Sequence, residues 1–374
     1  MNFEEKLAAQ LKPEEYLINI GPQHPSTHGV LRLLVTLEGE IINNVEPDIG
    51  YLHRCFEKIC ENRTYPMGIP MTDRMDYLGA MLNNLGYALA AEKLGDIEVP
   101  IRSQWIRIIV CELNRIASHL LWLAAFGADT GALTMFMFGL REREMVLDIL
   151  EQASGSRLTY GYIRIGGVAK DIDKTFIKKT KEFINIFPSK LKDYETLLGG
   201  NPIFQRRTQG VGTMNLETAL SYGITGPMLR SLGVKKDLRK NCSYLPYDEL
   251  DFEVAINNHP DCYGRYLVRI KEMGESLKIV EQALEKLQDG EIMPKMKPIF
   301  KPKKGEAYIK IEAPRGEFGV FMESDGKNKP YRVKFRAPSF SNLSVINELA
   351  KGGLIADLIV ILGSIDIVLG DVDR

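Results

Sequence analysis

The sequence lacks most of the features that announce a chemistry unaided. Its five cysteines, Cys55, Cys60, Cys111, Cys242 and Cys262, are odd in number and form no C-x-x-C pair. A disulfide framework and a cysteine-ligated cluster are thereby excluded. No G-x-G-x-x-G joins a strand to a helix and no G-x-x-x-x-G-K-[ST] occurs, so a self-contained nucleotide site has no support. Nowhere do about eighteen apolar residues follow one another, which removes the simplest signature of a membrane span. A formal net charge of -1 and the absence of a basic stripe argue against nucleic acid as a partner. The first dozen residues are charged and lack the apolar run of a signal peptide, and a cytoplasmic location is expected.

What is present is a globular chain, 45% hydrophobic over 374 residues, long enough for two or three packed subdomains. Its densest polar stretch is Gly21-Pro22-Gln23-His24-Pro25-Ser26-Thr27-His28-Gly29, between strand-like runs at 16–20 and 30–37. Prolines fix φ there and glycines allow close approach, so the loop sets its own shape. His24 and His28 have the spacing of two ligands on one helix face, but Pro25 between them denies the helix. The loop makes a candidate site without a metal geometry.

Beyond the hairpin, 55–63 reads as a helix and the proline-rich 65–70 as a loop. Thr72 is a candidate cap for a helix whose stripe runs Met71, Met75, Leu78, Leu82, Leu85, Leu89, with Tyr77 on its flank. Apolar on most sides, 101–126 reads as the central helix, holding Arg115 and His119 as paired interior groups. Asp129 lies between Gly127 and Gly131 at the next junction, placed to cap or to face a cavity, and a third helix is expected from about Phe138. Its Arg141-Glu142-Arg143-Glu144 reads as a salt-bridged face. Short extended pieces follow at 157–169, then a helix over 172–198 with a kink at Pro188, and a long helix over 259–287 with a near-heptad seam. A Lys/Pro linker at 291–304 precedes strands near 307–311, 319–322 and 331–335 and closing helices at 343–350 and 354–361. The final Asp371-Val372-Asp373-Arg374 is expected in solvent.

These residues carry a resemblance. Gly21 to Leu33 resembles the signature of the D-type subunits of NADH-quinone oxidoreductase, the 49-kDa subunit family of respiratory complex I. Gly50-Tyr51-Leu52-His53-Arg54, Asp73-Arg74-Met75-Asp76-Tyr77, Arg141 to Glu144, Tyr162 to Val168, Pro330 to Lys334 and Gly370 to Arg374 resemble it in the same order. The family is similar in fold to the [NiFe]-hydrogenase large subunit, which carries one C-x-x-C after an early arginine and another near its end. Here those places read Arg63 to Gly68 and Asp366 to Asp371, without thiolates, so the soft ligands that nickel needs are missing.

The resemblance implies an α+β, mainly α fold. It has an N-terminal β-hairpin region at 1–70, a helical bundle at 71–290, the linker at 291–304, and a C-terminal β-plus-helix region at 305–374 packed on the bundle. It implies an enzyme subunit that binds quinone as substrate beside an iron–sulfur cluster on a partner, itself holding neither metal nor cluster. His28 and Tyr77 match the residues that hold the quinone's carbonyl oxygens, and Asp129 the carboxylate paired with the histidine. His24, Arg54 and Arg63 are weaker candidates near the quinone or the partner's cluster. The implied partners are the B-type subunit that bears the iron–sulfur cluster, the C-type and I-type subunits and the membrane-embedded H-type subunit, with the chain peripheral on the cytoplasmic side of the membrane. Proton translocation and NAD binding belong to the whole enzyme, the dinucleotide site lying on other subunits. Two alternatives stay open: the same role in a complex fed by another donor, and a hydrogenase-like subunit, which the missing cysteines oppose. Cys55 stands where the family more commonly has glycine.

Overall fold

A computed structural model describes residues 11–23, 29–242 and 244–374. Three antiparallel strands open the fold, β1 (Glu15–Ile20), β2 (Arg32–Glu38) and β3 (Ile41–Asp48), in that spatial order. Central β2 buries Leu33, Leu34, Val35 and Leu37. The chain's far end closes on β3, where the Ile42 amide donates to the Gly353 carbonyl at 2.9 Å.

Helix α1 (Phe56–Asn62) is followed directly by α2 (Tyr65–Thr72), where the prolines predict a loop. Pro66 sits in the first turn, where no intrahelical donor is needed, and Pro70 comes only two residues before the end. Gly68 is required there, because a Cβ would lie 2.2 Å from the Tyr87 hydroxyl. The next helix, α3 (Ala80–Gly95), begins seven residues later than a cap at Thr72 predicts. Thr72 instead donates its hydroxyl to the Ile69 carbonyl at 2.9 Å, closing α2.

Central α4 (Ile101–Asp129) and α5 (Leu133–Ser154) pack along each other. Their contact is close because Gly139 approaches the Leu120 carbonyl, which a Cβ would meet at 2.8 Å. α5 starts earlier than Phe138: Thr130 closes α4 by donating its hydroxyl to the Phe126 carbonyl, and Gly131 at φ 87° reverses the chain at once. α4 is long and apolar enough to cross a bilayer, but 89% of its most apolar stretch is buried inside the protein.

A small hairpin, β4 (Ile163–Arg164) and β5 (Gly167–Val168), leads to α6 (Lys174–Tyr194), which accommodates Pro188 internally. Long α7 (Cys262–Glu285) faces α4. Residues 286–304 have no regular structure, and Phe300 lies edge-on to Tyr65 with ring centroids 5.1 Å apart. Strands β6 (Gly305–Ala313), β7 (Gly316–Ser324) and β8 (Arg332–Arg336) form the second antiparallel sheet, packed on α3. The chain closes with α8 (Pro338–Leu343), a short helix at Ile346–Ala350, α9 (Ile355–Ile365) and α10 (Leu369–Asp373). The architecture is α+β and mainly α, with a small sheet near each end, as expected.

Candidate functional site

Between α2 and α3 the chain makes a tight turn instead of continuing as a helix. Asp76 creates it: its Oδ1 accepts the amides of Leu78 at 3.2 Å and Gly79 at 3.1 Å, offering the backbone an alternative to helical bonds. Tyr77 therefore stands on a turn, half-buried, and not on the flank of a helix. Burial pushes its hydroxyl above the ordinary phenol range; Arg315 opposes this, while Asp76 and Asp366 reinforce it. At neutral pH the hydroxyl keeps its proton and acts as a hydrogen-bond donor.

Arg315, wholly buried at the β6–β7 turn, ties three distant segments together. Its guanidinium donates to Asp76 Oδ2 at 2.8 Å, to Ser118 Oγ on α4 at 3.0 Å and to Asp366 Oδ1 at 3.2 Å. Arg269 on α7 lies 3.8 Å from the other Asp366 oxygen and donates to the carbonyls of Ser364 and Ile365. Burial pulls its guanidinium down to about 10.

The C-terminus corrects an expectation. Far from solvated, α10 is buried: Asp371 is 0% exposed and Asp373 8%. Asp373 accepts the amides of Gly50 at 2.9 Å and Leu52 at 2.6 Å, and its carbonyl accepts from His53 Nδ1 at 2.8 Å. Gly370 rests on the Tyr77 turn so closely that a Cβ would lie 2.5 Å from the Met75 carbonyl. Composition at a chain end said nothing of this, although the terminal motif itself stood out.

Of the residues singled out in the sequence, His24 and His28 lie outside the described residues. Their neighbour Gly29 stands against Leu369 of α10, 3.4 Å from where its Cβ would be. Asp129, half-buried at the end of α4, faces Gly363 of α9, where a Cβ would lie 3.2 Å from Asp129 Oδ2. Tyr77, the exit of the histidine loop and Asp129 thus all adjoin the segment from Gly363 to Gly370. Arg54 is exposed, its guanidinium 5.6 Å from the Phe56 ring centroid. Exposed Arg63 lines a cavity of about 620 Å³ with Cys55, Ile59, Met67, Pro70 and Met71. Cys60, Cys111 and Cys262 are buried, while Cys55 and Cys242 are exposed. Among the described residues no three of His, Cys, Asp and Glu are grouped to hold a metal ion.

Deeper in the protein is a charge cluster that sequence reading largely missed. Glu272 accepts from Arg230 at 2.9 Å and Arg239 at 3.2 Å, and its Oε2 lies 3.3 Å from His119 Nε2. Glu112 accepts from Arg115, Arg239, Ser276 and Tyr247, and Glu312 from Arg230 and the Leu238 amide. Burial works to raise both Glu112 and Glu272, yet the surrounding arginines hold them below the usual carboxylate range. Burial pulls His119 down and its bond to Glu272 opposes this, so it is the paired interior group expected. Arg141-Glu142 also forms a pair, at 2.6 Å, although Glu142 is buried and takes the Tyr194 hydroxyl.

Fold and site define a mainly helical α+β protein whose polar centre is assembled from arginines, carboxylates and a tyrosine on separate segments. A sequence profile described as "Respiratory-chain NADH dehydrogenase, 49 Kd subunit" matches residues 129–304 and 295–374. The D-type subunit of NADH-quinone oxidoreductase from Desulforamulus reducens is 50% identical over 363 residues, covering 97% of this chain and 99% of that protein. The D-type subunits of Bacillus mycoides and Carboxydothermus hydrogenoformans are 49% and 50% identical, each covering 97% of this chain and 100% of theirs. The chain belongs to this family, the 49-kDa or D-type subunits of NADH-quinone oxidoreductase.

Proposed function

We propose that this chain is the quinone-site core subunit of a proton-translocating NADH-quinone oxidoreductase of the complex I type. Quinone is its substrate, reduced to quinol by two protons and by two electrons from an iron–sulfur cluster on the partner B-type subunit. The C-type and I-type subunits and the membrane-embedded H-type subunit are the other neighbours, and through them the chain is held peripherally on the cytoplasmic side of the membrane. The single observation that carries this reading is the Tyr77 turn, locked by Asp76 and Arg315 and seated against the C-terminal segment that replaces a hydrogenase's second cysteine pair.

In this reading the Tyr77 hydroxyl donates a hydrogen bond to one quinone carbonyl, and His28, paired with Asp129, donates to the other. Negative charge develops on those oxygens during reduction, and donors already aimed at them stabilise it without reorganising. Histidine, with an ordinary pKa of about 6.5, delivers a proton at neutral pH, and Asp129 favours its protonated form. Arg54 and Arg63 supply positive charge beside the partner's cluster, and His24 shapes the loop.

Tyr77→Phe in the intact membrane complex tests this. One hydroxyl is lost with little change in volume. A hydrogen bond worth about 0.5–1.5 kcal/mol, more when charge develops on the acceptor, corresponds to a severalfold or greater loss of quinone reduction. Assembly and the reduced-cluster EPR signal should be unchanged. Wild-type activity and quinone affinity in that variant would overturn the assignment.

A further inference from the structure

We propose that Asp371, set against Asp76 beneath Tyr77, is a proton-binding site, which takes up one proton as negative charge develops on the substrate. The proposal rests on the quinone-donor reading of Tyr77 and adds a site to it.

The geometry begins with Gly370. Having no Cβ, it lets the first turn of α10 sit on the Arg74 and Met75 carbonyls, from which a Cβ would be 3.0 and 2.5 Å. The adjacent residues on the two segments, Asp371 and Asp76, are thereby set against each other inside the protein. Both are buried, at 0% and 2% exposure. Asp371 Oδ2 accepts the Ser339 amide at 3.0 Å, while its Oδ1 has no hydrogen-bond partner among the described residues. A buried charged carboxylate with one oxygen unsatisfied is costly, and a proton relieves the cost.

Burial and the charge of Asp76 favour such a proton, while Arg315 opposes it. Asp76 faces Asp371 from the turn and Arg315 from the β6–β7 turn, while Tyr77, Asp366 at the end of α9 and Arg269 of α7 adjoin Arg315. Ser339 of α8 contributes hydrogen bonds, and Asp373 on α10 is occupied with Gly50 and Leu52. Three buried carboxylates, Asp76, Asp366 and Asp371, thus share Arg315, with Arg269 beside Asp366. Burial, then the charge of Asp76, pushes the Asp371 carboxyl up to about 6. Tyr77 and Asp371 both lie in the field of Arg315, so charge appearing on an oxygen bonded to Tyr77 raises the proton affinity of Asp371 in turn.

The uptake balances as a proton transfer from hydronium to one carboxylate oxygen, leaving water and a neutral carboxyl. No electron moves in this step. Further buried polar atoms that make no hydrogen bond among the described residues, Asp366 Oδ2, Arg315 Nε and Arg269 Nε, lie around the same charges. They offer hydrogen bonds to the water that delivers the proton. Asp371 is a positioning residue in this scheme, acting through Asp76 and Arg315 and not by touching the substrate.

The test uses the intact membrane complex and three variants, Asp371→Asn, Asp371→Glu and Tyr77→Phe. Redox-induced infrared difference spectra in light and heavy water are recorded with pH profiles of quinone reduction. The expected result is a protonated-carboxyl C=O stretch that appears on reduction, moves in heavy water, vanishes in Asp371→Asn and persists, shifted, in Asp371→Glu. The inflection near pH 6 in kcat should disappear in Asp371→Asn and return in Asp371→Glu, with the quinone KM changed less than twofold. A wild-type spectrum without such a band overturns the proposal even if Asp371→Asn fails to assemble. So does an Asp371→Asn complex that keeps the band and the pH profile. If Tyr77→Phe reduces quinone normally while the Asp371-dependent band stands, the quinone reading of Tyr77 fails and the proton site survives. If Tyr77→Phe is impaired while Asp371→Asn changes nothing, only the proton site is lost.

Discussion

Two buried charge clusters share the interior of this protein and are finished differently. In the inner one, around Glu112, Glu272, Asp237 and Glu312, each carboxylate accepts hydrogen bonds from arginines, hydroxyls or amides at both oxygens. In the outer one, behind Tyr77, Asp366 Oδ2 and Asp371 Oδ1 accept no hydrogen bond among the described residues, Asp366 Oδ2 having only the Arg269 guanidinium 3.8 Å away. The inner cluster has the form of a structural bolt between α4, α7 and β6. The outer one has carboxylate oxygens left open to a further hydrogen bond next to the candidate site. Both clusters leave buried donors such as Arg230 Nε and Arg315 Nε without a hydrogen bond among the described residues, so the difference lies in the carboxylate oxygens alone.

The harshest way to break the contrast is Glu272→Gln. It leaves Arg230, Arg239 and Arg115 facing a neutral amide in a fully buried site. A loss of about 3–5 kcal/mol is expected, read from denaturant unfolding of the chain or from failure of the complex to assemble. A loss under about 1 kcal/mol would mean that the inner cluster is not a bolt.

Asp73 sharpens the other side. It is 1% exposed and accepts the Gly161 amide at 3.2 Å, and burial raises its carboxyl to about 6. Because the folded pKa lies above the unfolded one, the protonated carboxyl favours folding most below about pH 4. That advantage is lost as pH rises through about 6. Asp73→Asn keeps an acceptor for Gly161 and should stabilise the protein at pH 8 by roughly 3 kcal/mol while changing little at about pH 4. Melting curves at the two pH values decide it.

Arg315→Lys keeps the charge and loses the fork that reaches Asp76, Ser118 and Asp366 together. Hydrogen bonds to charged groups contribute about 1.5–3 kcal/mol, so one lost arm should lower stability by that much and quinone reduction at least severalfold. Equal loss of stability with full activity would separate Arg315 from the site. The smallest effect is expected for Ser118→Ala, which removes one neutral acceptor from Arg315, for about 0.5–1.5 kcal/mol in the same unfolding measurement.

Much of the framework was legible. The central helix announced itself through length and an apolar surface on most sides, the two sheets through alternation and turn residues, and His119 through its place inside the greasiest helix. The misreadings share a cause. Pro66 and Pro70 signal a break only if the helix must continue past them, and α2 is too short for that. Met71, Met75 and Leu78 fit a helical stripe, yet Asp76 turns the backbone between them with its own side chain. In both places a local signal had two outcomes, and packing against Tyr87 and Arg315 selected one.

The sequence by itself determined the family and the α+β character, since these rest on motifs and on periodicity along the chain. Only the tertiary structure decided that the charged C-terminus is interior, that Arg315 joins Asp76 to Asp366, and that Gly370 sets Asp371 against the Tyr77 turn. Charge pairing and desolvation depend on distance in space and on exclusion of water, and neither quantity is written in the order of residues along the chain.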